Sequence, residues 1–436
     1  MKKKRPLTVY ILVAMVLGIL VGYTCHETFP DIKTSADIAA NISIVTDVFL
    51  RLIKMIIALL VFSTLTVGIA HMGDGKTAGR IGVKAVCWFM VASLVSLTLG
   101  LILSNIMQLG THLDLPLPDI GASTDLKVAA FTLKDFFTHL VPKSPIEAMA
   151  NNEILQVLVF SIFFGSALAG LGESAKILTA MIDQLAQVML RITGTIMSMA
   201  PLAVFAAIAS VVTSHGLGVL ATFAKFMGGF YLGMACLWLL LIAAGFAVIG
   251  PRVFKLVGLI REPFLLAFST ASSEAAYPKL LVALDQFGVD RKISSFVLPM
   301  GYSFNLDGSM MYCTFAVLFI AQAYGIDLPI GTQITMLLLL MLTSKGIAGV
   351  PRASLVVIAA TLNQFHIPEA GLLLLMGIDH FLDMGRSATN AVGNAVATAV
   401  VAKWEGGLAS EEDMARNAAL AAQAELSGGL AERKAA

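Results

Sequence analysis

GLLLLMGIDHFLDMGRSATNAVGNAVATAVVAK, Gly371 to Lys403, is long enough to cross a bilayer yet carries Asp379, Asp383 and Arg386. With Asn390 and Asn394 these residues stand at offsets 0, 4, 7, 11 and 15 counted from position 379. At about 100° per residue the five fall within a sector of roughly 80°, one narrow stripe on one helix. A charged side chain at mid-bilayer costs about 2.5–3.5 kcal/mol on insertion scales. A helix bears such a stripe where it faces other protein, water, a substrate or an ion. Structural ion pairing inside a bundle is the plain reading; a substrate or ion pathway is the favoured one.

The rest of the chain has the composition of a membrane protein. It is 58% hydrophobic and 13% charged, with a mean hydropathy of +0.86, far from ordinary soluble domains. Apolar blocks near 6–25, 43–71, 79–109, 151–171, 177–213, 216–250, 293–324 and 370–403 make eight candidate spans. The N-terminus, with Lys2, Lys3, Lys4 and Arg5 ahead of an apolar run, reads as a retained first helix because further spans follow. The blocks 253–290 and 328–366 differ, each having two short arms around a polar or Gly/Pro-rich centre. Arms of about a dozen residues are too short to cross and suit re-entrant hairpins, whose broken backbone must be buried in protein or line a cavity. The fold expected is an all-α polytopic membrane protein: eight transmembrane helices plus two re-entrant helical hairpins. The units 253–324 and 328–403 share a layout and enter from opposite sides, the form of an inverted repeat.

Loop charges give a sidedness. With the N-terminus inside, the cytoplasmic loops hold Lys76, Arg80, Lys176, Arg252, Lys255, Arg261, Arg291 and Lys292, while the turns near 214, 326 and 366 have almost none. Both termini are then cytoplasmic, and 409–436 is a charged, Ala-rich tail expected as a short exposed helix with a frayed end. The scattered Cys25, Cys87, Cys236 and Cys313 have no metal-ligand spacing. A net charge of +1 implies no nucleic-acid partner, and the bilayer is the expected surroundings.

Four polar clusters lie in the last 180 or so residues, counted on the sequence. Ser269, Thr270, Ser272 and Ser273, beside Glu274, offer hydroxyls and amides to a carboxylate. Asn305-Leu-Asp-Gly-Ser309 favours local unwinding that frees carbonyls for a small cation, with Asp307 a hard oxygen ligand. Gly346, Gly349 and Pro351 form a backbone-rich tip suited to a gate. In the stripe, Arg386 presents a fork that matches a carboxylate, and Asp383, one turn earlier, suits an ammonium. An internal Arg386–Asp383 pair is the alternative, and both can hold in turn. His380 is flanked by the stripe without joining it.

Taken together, Asn305-Leu-Asp-Gly-Ser309, the serine tip before Pro278, Ala348-Gly-Val-Pro351 and Gly377-Ile-Asp-His-Phe-Leu-Asp-Met-Gly-Arg386 resemble the dicarboxylate/amino acid:cation symporters, the glutamate transporter family. The likeness extends to Phe49-Leu-Arg-Leu-Ile-Lys-Met55 and Gly82-Val-Lys84 and covers nearly the whole chain. It is closest in pattern to bacterial proton/glutamate-aspartate symporters. The resemblance implies a homotrimer of independently working protomers in a bacterial cytoplasmic (inner) membrane. It implies scaffold spans 1–2 within 1–78 and spans 4–5, after an external loop, within 110–215. The transport domain comprises 79–109 and 216–408, and is thought to slide like an elevator with the second hairpin as outer gate. Carried over by position, Arg386 binds the side-chain carboxylate of an acidic amino acid, Asp383 its amino group, and Asn390 with Ser273 its α-carboxylate. Ser309 offers a hydroxyl, and the Gly349 tip closes the site. C4-dicarboxylate carriers have a non-acidic residue at the Asp383 position, so glutamate or aspartate is favoured over malate, fumarate or succinate.

Departures from the family pattern bear on the coupling ion. Asn394 stands where sodium-coupled members place an aspartate, Ala92-Ser93 where they place Thr-Ser, and Lys345 and Ile347 where hairpin hydroxyls and carbonyls serve sodium. The family's extra arginine is missing, with Ala271 and Met384 at those positions, and Arg352 replaces a small residue. Coupling to protons is therefore expected, with no cofactor and no metal. Glu274 is the first candidate proton carrier and Asp307 the second. Asn305, Asn394 and Asp379 are expected around the coupling site, with the Lys345 ammonium standing in for a sodium ion. An enzyme is not expected, because no Ser/His/Asp arrangement or metal-binding pair lies among the spans. A sodium-coupled carrier and an anion channel remain the competing transport readings.

Overall fold

The computed structural model describes residues 7–72, 75–111, 138, 140–217, 223–343, 353–376, 378–410 and 412. In chain order the helices are α1 (Leu7–Thr28), α2 (Ile32–Met72), α3 (Gly75–Met107), α4 (Pro145–Ala150), α5 (Ile154–Leu171), α6 (Lys176–Met197), α7 (Ala200–His215) and α8 (Ala224–Ile249). They continue as α9 (Arg252–Leu259), α10 (Arg261–Thr270), α11 (Ser273–Phe287), α12 (Arg291–Phe304), α13 (Asp307–Ala323), α14 (Ile330–Thr343), α15 (Ala353–Gln364), α16 (Leu372–Met376) and α17 (Asp379–Trp404).

Among the described residues, six helical stretches are long and apolar enough to cross a membrane: Val9–Thr28, Ile32–Ala70, Thr77–Met107, Ile154–Met197, Ala224–Ile249 and Arg291–Ala323. This is fewer than the eight blocks read from the sequence, because the single stretch Ile154–Met197 takes in the block 151–171 and most of 177–213, while the 16-residue α7 and the polar-striped α17 are not among the six. The block 177–213 divides at Ser198 and Met199 into α6 and α7. The block 370–403 divides ahead of Asp379, so the polar stripe opens α17 instead of lying inside a longer helix. The second span is longer than its apolar block, because the exposed Asp31 carboxylate accepts from the Thr34 amide (2.9 Å) and hydroxyl (2.7 Å) and starts α2 at Ile32. At 1.5 Å per residue its 41 residues extend about 60 Å, twice the hydrocarbon thickness.

The helices pack in two neighbourhoods. In one, α2 lies against α5, α6 and α7, with α1 on α7. In the other, α17 is wrapped by α8, α10, α11, α12 and α13, while α3 packs along α13 and α12. Contacts between them run chiefly through α2 against α12 and α11, and through α7 and α1 against α10. Burial follows this layout: the window representing α1 is 22% buried, while that spanning α12 and α13 is 94% buried. Only surrounding protein on all sides explains the second figure. Val16, Leu20, Ile106 and Leu239 leave apolar side chains exposed on the outer helices.

Two breaks position the site. Between α10 and α11 the chain reverses at Ala271, which takes a left-handed conformation at φ 49°, and Ser272, whose Oγ caps α11 by accepting from Ala275 N at 3.3 Å. This is the tip of the first expected hairpin. Between α12 and α13, Asn305 and Leu306 leave the helix (ψ 64° and 56°), which is the unwinding expected from Asn-Leu-Asp-Gly. The second expected hairpin has its arms in α14 and α15. Its tip, with Lys345, Gly346, Ile347, Gly349, Pro351 and Arg352, lies outside the described residues, as does the expected tail helix beyond 412.

Candidate functional site

The hairpin tip, the α12–α13 break and the first half of α17 meet around one cavity of about 380 Å³, at the small end of the roughly 300–1,000 Å³ typical of ligand pockets. Arg386, Asp383, Asn390, Ser309, Ser273, Glu274 and Asp379 all border it. These residues span 117 positions of sequence (390 − 273, Ser273 to Asn390) and reach one wall because α10, α11 and α13 each pack on α17. Asp47 and Lys54 of α2 face them across the cavity.

Two of the charges in this cavity, Arg386 and Asp383, pair with each other. Arg386 is 9% exposed and Asp383 8%. Arg386 Nε donates to Asp383 Oδ1 at 2.8 Å, Nη2 donates to the same oxygen, and Nη1 donates to Ser354 Oγ at the start of α15. The Ser387 hydroxyl also donates to Asp383 Oδ1, at 3.1 Å. All three bonds to Asp383 fall on Oδ1, so the second carboxylate oxygen is left for an incoming cation. Removing one partner of a buried pair costs about 3–5 kcal/mol, since it strands the other charge. A ligand entering here must therefore replace what it displaces. An ammonium against Asp383 and a carboxylate against Arg386 do so together.

The remaining polar groups set the frame. Asn390 Oδ1 accepts from the amides of Gly308 (2.9 Å) and Ser309 (3.4 Å), and its Nδ2 donates to Ser309 Oγ (3.2 Å). Asn390 thus caps α13 and keeps one amide proton for a ligand. Asp379 accepts from the Tyr312 hydroxyl at 2.8 Å. Tyr231 on α8 donates to the Phe381 carbonyl at 2.5 Å and braces the start of α17. On the hairpin, the Ser269 and Thr270 hydroxyls donate back to Leu265 O (2.6 Å) and Leu266 O (2.7 Å). That corrects the expectation of four ligand hydroxyls: two are spent on their own helix.

Asn305, Asp307 and Asn394 form a second cluster, behind Asn390 and off the cavity. Asn305 Nδ2 donates to Asn394 Oδ1 at 3.1 Å, and Ser96 of α3 donates to the Asp307 carbonyl at 2.5 Å. All three residues are at most 1% exposed. Among the described residues, no group of three or more His, Cys, Asp and Glu is placed to hold a metal ion.

Sequence reading missed Ser354, Ser387, Tyr312 and Lys54, which bear on the site through contacts between separate elements. Ser387 had a signal, since position 387 lies one turn beyond Asp383. His380 was set apart from the stripe by helical phase, yet it borders the cavity. The break just before Asp379 brings Asp379 and His380 to the wall beside Asp383.

A cavity with a buried ion pair on its wall, set among apolar helices, marks a solute carrier of the membrane. The sequence profile of the sodium:dicarboxylate symporter family matches residues 7–404. The chain is 38% identical over 409 residues to a proton/sodium-glutamate symport protein of Geobacillus stearothermophilus, covering 93% of this chain and 96% of that protein. It is 39% identical over 416 residues to a C4-dicarboxylate transport protein of Pseudomonas savastanoi pv. phaseolicola, covering 94% and 88%. A C4-dicarboxylate transport protein 2 of Polaromonas naphthalenivorans is 40% identical over 417 residues, covering 93% and 89%. The chain belongs to the sodium:dicarboxylate symporter family. It is a multi-pass membrane transporter and not an enzyme.

Proposed function

We propose that this protein is a proton-coupled symporter that imports glutamate or aspartate across a bacterial cytoplasmic membrane, with both termini inside. The observation that carries the reading is the Asp383–Arg386 pair, an anion and a cation one turn apart on the wall of a small cavity. A zwitterionic, acidic substrate exchanges with both charges at once. Arg386 takes the distal carboxylate, Asp383 Oδ2 the ammonium, and Asn390, Ser273 and Ser309 the remaining polar atoms, with the Gly349 tip as outer gate. Relatives named for C4-dicarboxylate transport are as similar as the one named for glutamate, so succinate, fumarate or malate transport is the second reading. Asp383 argues against it, because a C4-dicarboxylate has no cation to offer that carboxylate.

Coupling to protons draws on Glu274, which borders the cavity beside the serine tip. Asn394 brings an amide where a sodium cage needs a charge, and Ala92 brings no oxygen. Asp307, Asn305, Asp379 and Lys345 are the other residues assigned to coupling. The working unit is a homotrimer in which 1–78 and 110–215 form the scaffold while 79–109 and 216–408 move. Uptake into proteoliposomes, with sodium and proton gradients imposed separately, tests the reading. Aspartate or glutamate should accumulate on a proton gradient alone, and Asp383→Ser should lose amino-acid uptake while keeping or gaining succinate uptake. Uptake that ignores the proton gradient, or wild-type protein that moves succinate and no amino acid, defeats it.

A further inference from the structure

Arg386 is anchored at both ends of its guanidinium, by Asp383 on its own helix and by Ser354 on another. Ser354 is the second residue of α15, is 1% exposed and borders the main cavity. A hydroxyl accepts through its lone pairs and keeps one proton to give. Here the lone pair answers Arg386 Nη1, so the proton is left for another acceptor. The fully buried Cys313 thiol is also beside it and is only a weak acceptor. A carboxylate drawn to the Arg386 fork finds that proton next to the nitrogen it binds.

The two anchors respond differently to substrate. Asp383 is an anion that an incoming ammonium competes for, so its hold on Arg386 loosens on loading. Ser354 is neutral and has no reason to release. We infer that Ser354 is a specificity-determining residue: it keeps Arg386 Nη1 in place and donates its own proton to the substrate carboxylate that Arg386 binds. The inference rests on the reading that Arg386 takes a substrate carboxylate, and it holds for acidic amino acids and C4-dicarboxylates alike. It also makes the anion subsite a joint product of α17 and α15, complete only while α15 is packed on α13 as it is here.

The test is initial-rate uptake by the full chain in proteoliposomes, comparing Ser354→Ala, Ser354→Thr and Arg386→Ala with wild type. Loss of one charge-assisted hydrogen bond should raise the KM for aspartate, or for succinate if that is carried, roughly ten- to hundredfold in Ser354→Ala, with the maximal rate little changed. Ser354→Thr keeps the hydroxyl and should restore the KM. Inhibition by asparagine, which lacks the distal carboxylate, should be unaltered, so the aspartate-to-asparagine preference shrinks by the same factor. Unchanged KM in Ser354→Ala, an equal loss in Ser354→Thr, or a fall in maximal rate alone would overturn the role of Ser354. Full affinity in Arg386→Ala would instead overturn the reading of the site beneath it.

Discussion

Gly393 lies on α17 where the Asp307 side chain packs against the helix, and a Cβ built there runs into Asp307 Oδ2. Gly301 on α12 has the same relation to Asn394 Oδ1. The buried amide and carboxylate cluster is therefore held by missing side chains as well as present ones. Overpacking at such a site costs about 1–3 kcal/mol, and the carboxylate, not the helix, is the part able to move. Gly393→Ala should thus insert and purify like wild type while its uptake rate falls at least roughly tenfold. Wild-type rates in that variant would show that Asp307 needs no fixed position. In the sequence the five polar residues of the stripe were legible because one helix with a known period carries them. Ser354 was not, since it reaches Arg386 from a helix 32 residues away in the chain.

Past the end of α17 the chain forms a strap rather than a loose exit. Glu405 accepts from Arg80 Nε (2.9 Å) and Nη2 (2.8 Å), and Lys84 Nζ lies 2.6 Å from its other oxygen. Trp404 stacks edge-on against Trp88 of α3. Leu408 pairs with Val289 as an antiparallel bridge, with Asp290 N donating to Gly407 O (2.8 Å) and Ala409 N to Gly288 O (2.9 Å). Gly288, at φ 95°, makes the turn out of α11 that this bridge requires. The strap ties α17 to α3 and to the α11–α12 junction. The Arg80 hydrogen bonds, with Lys84 behind them, hold the Glu405 carboxyl below the usual carboxylate range. A carboxyl so lowered contributes stability above its unfolded value, and that contribution is lost as pH falls through the folded value. Glu405→Gln should therefore melt earlier than wild type at pH 7, and the gap should close below about pH 4. Arg80 is more than half exposed, so the effect is under about 1 kcal/mol. A gap of the same size at both pH values in detergent-solubilised protein would rule out the ion pair as its source.

For the whole molecule, the question is whether the two helix neighbourhoods move past each other. Their contact is close at Gly68 of α2, where a Cβ would lie 2.8 Å from Ser295 Oγ of α12. Cysteines at both positions, in a background lacking the four native ones, are near enough to bond with small adjustment. If transport slides one group along the other, oxidising Gly68→Cys/Ser295→Cys should stop uptake nearly completely and reduction should restore it. Each single variant should transport in both conditions. Undiminished uptake by the crosslinked protein would exclude sliding at this interface.

The membrane class, the interrupted helices and the charged stripe were all present in the order of residues. Hydropathy is a local sum, helical phase is periodic, and Asn-Leu-Asp-Gly and Ser-Ser-Glu carry local preferences for caps and turns. Helix ends were less legible: the split of 177–213 at Ser198 and the start of α17 at Asp379 depend on packing partners that hydropathy does not register. What tertiary structure alone decided is which hydroxyls are available and which charges are satisfied. Ser269 and Thr270 spend their protons on their own helix, whereas Ser354 spends a lone pair on Arg386. A hydroxyl's commitment is set by the partner within about 3 Å: for Ser269 and Thr270 it is a carbonyl one turn back, whereas for Ser354 it is a guanidinium on a different helix, whose approach no local pattern encodes.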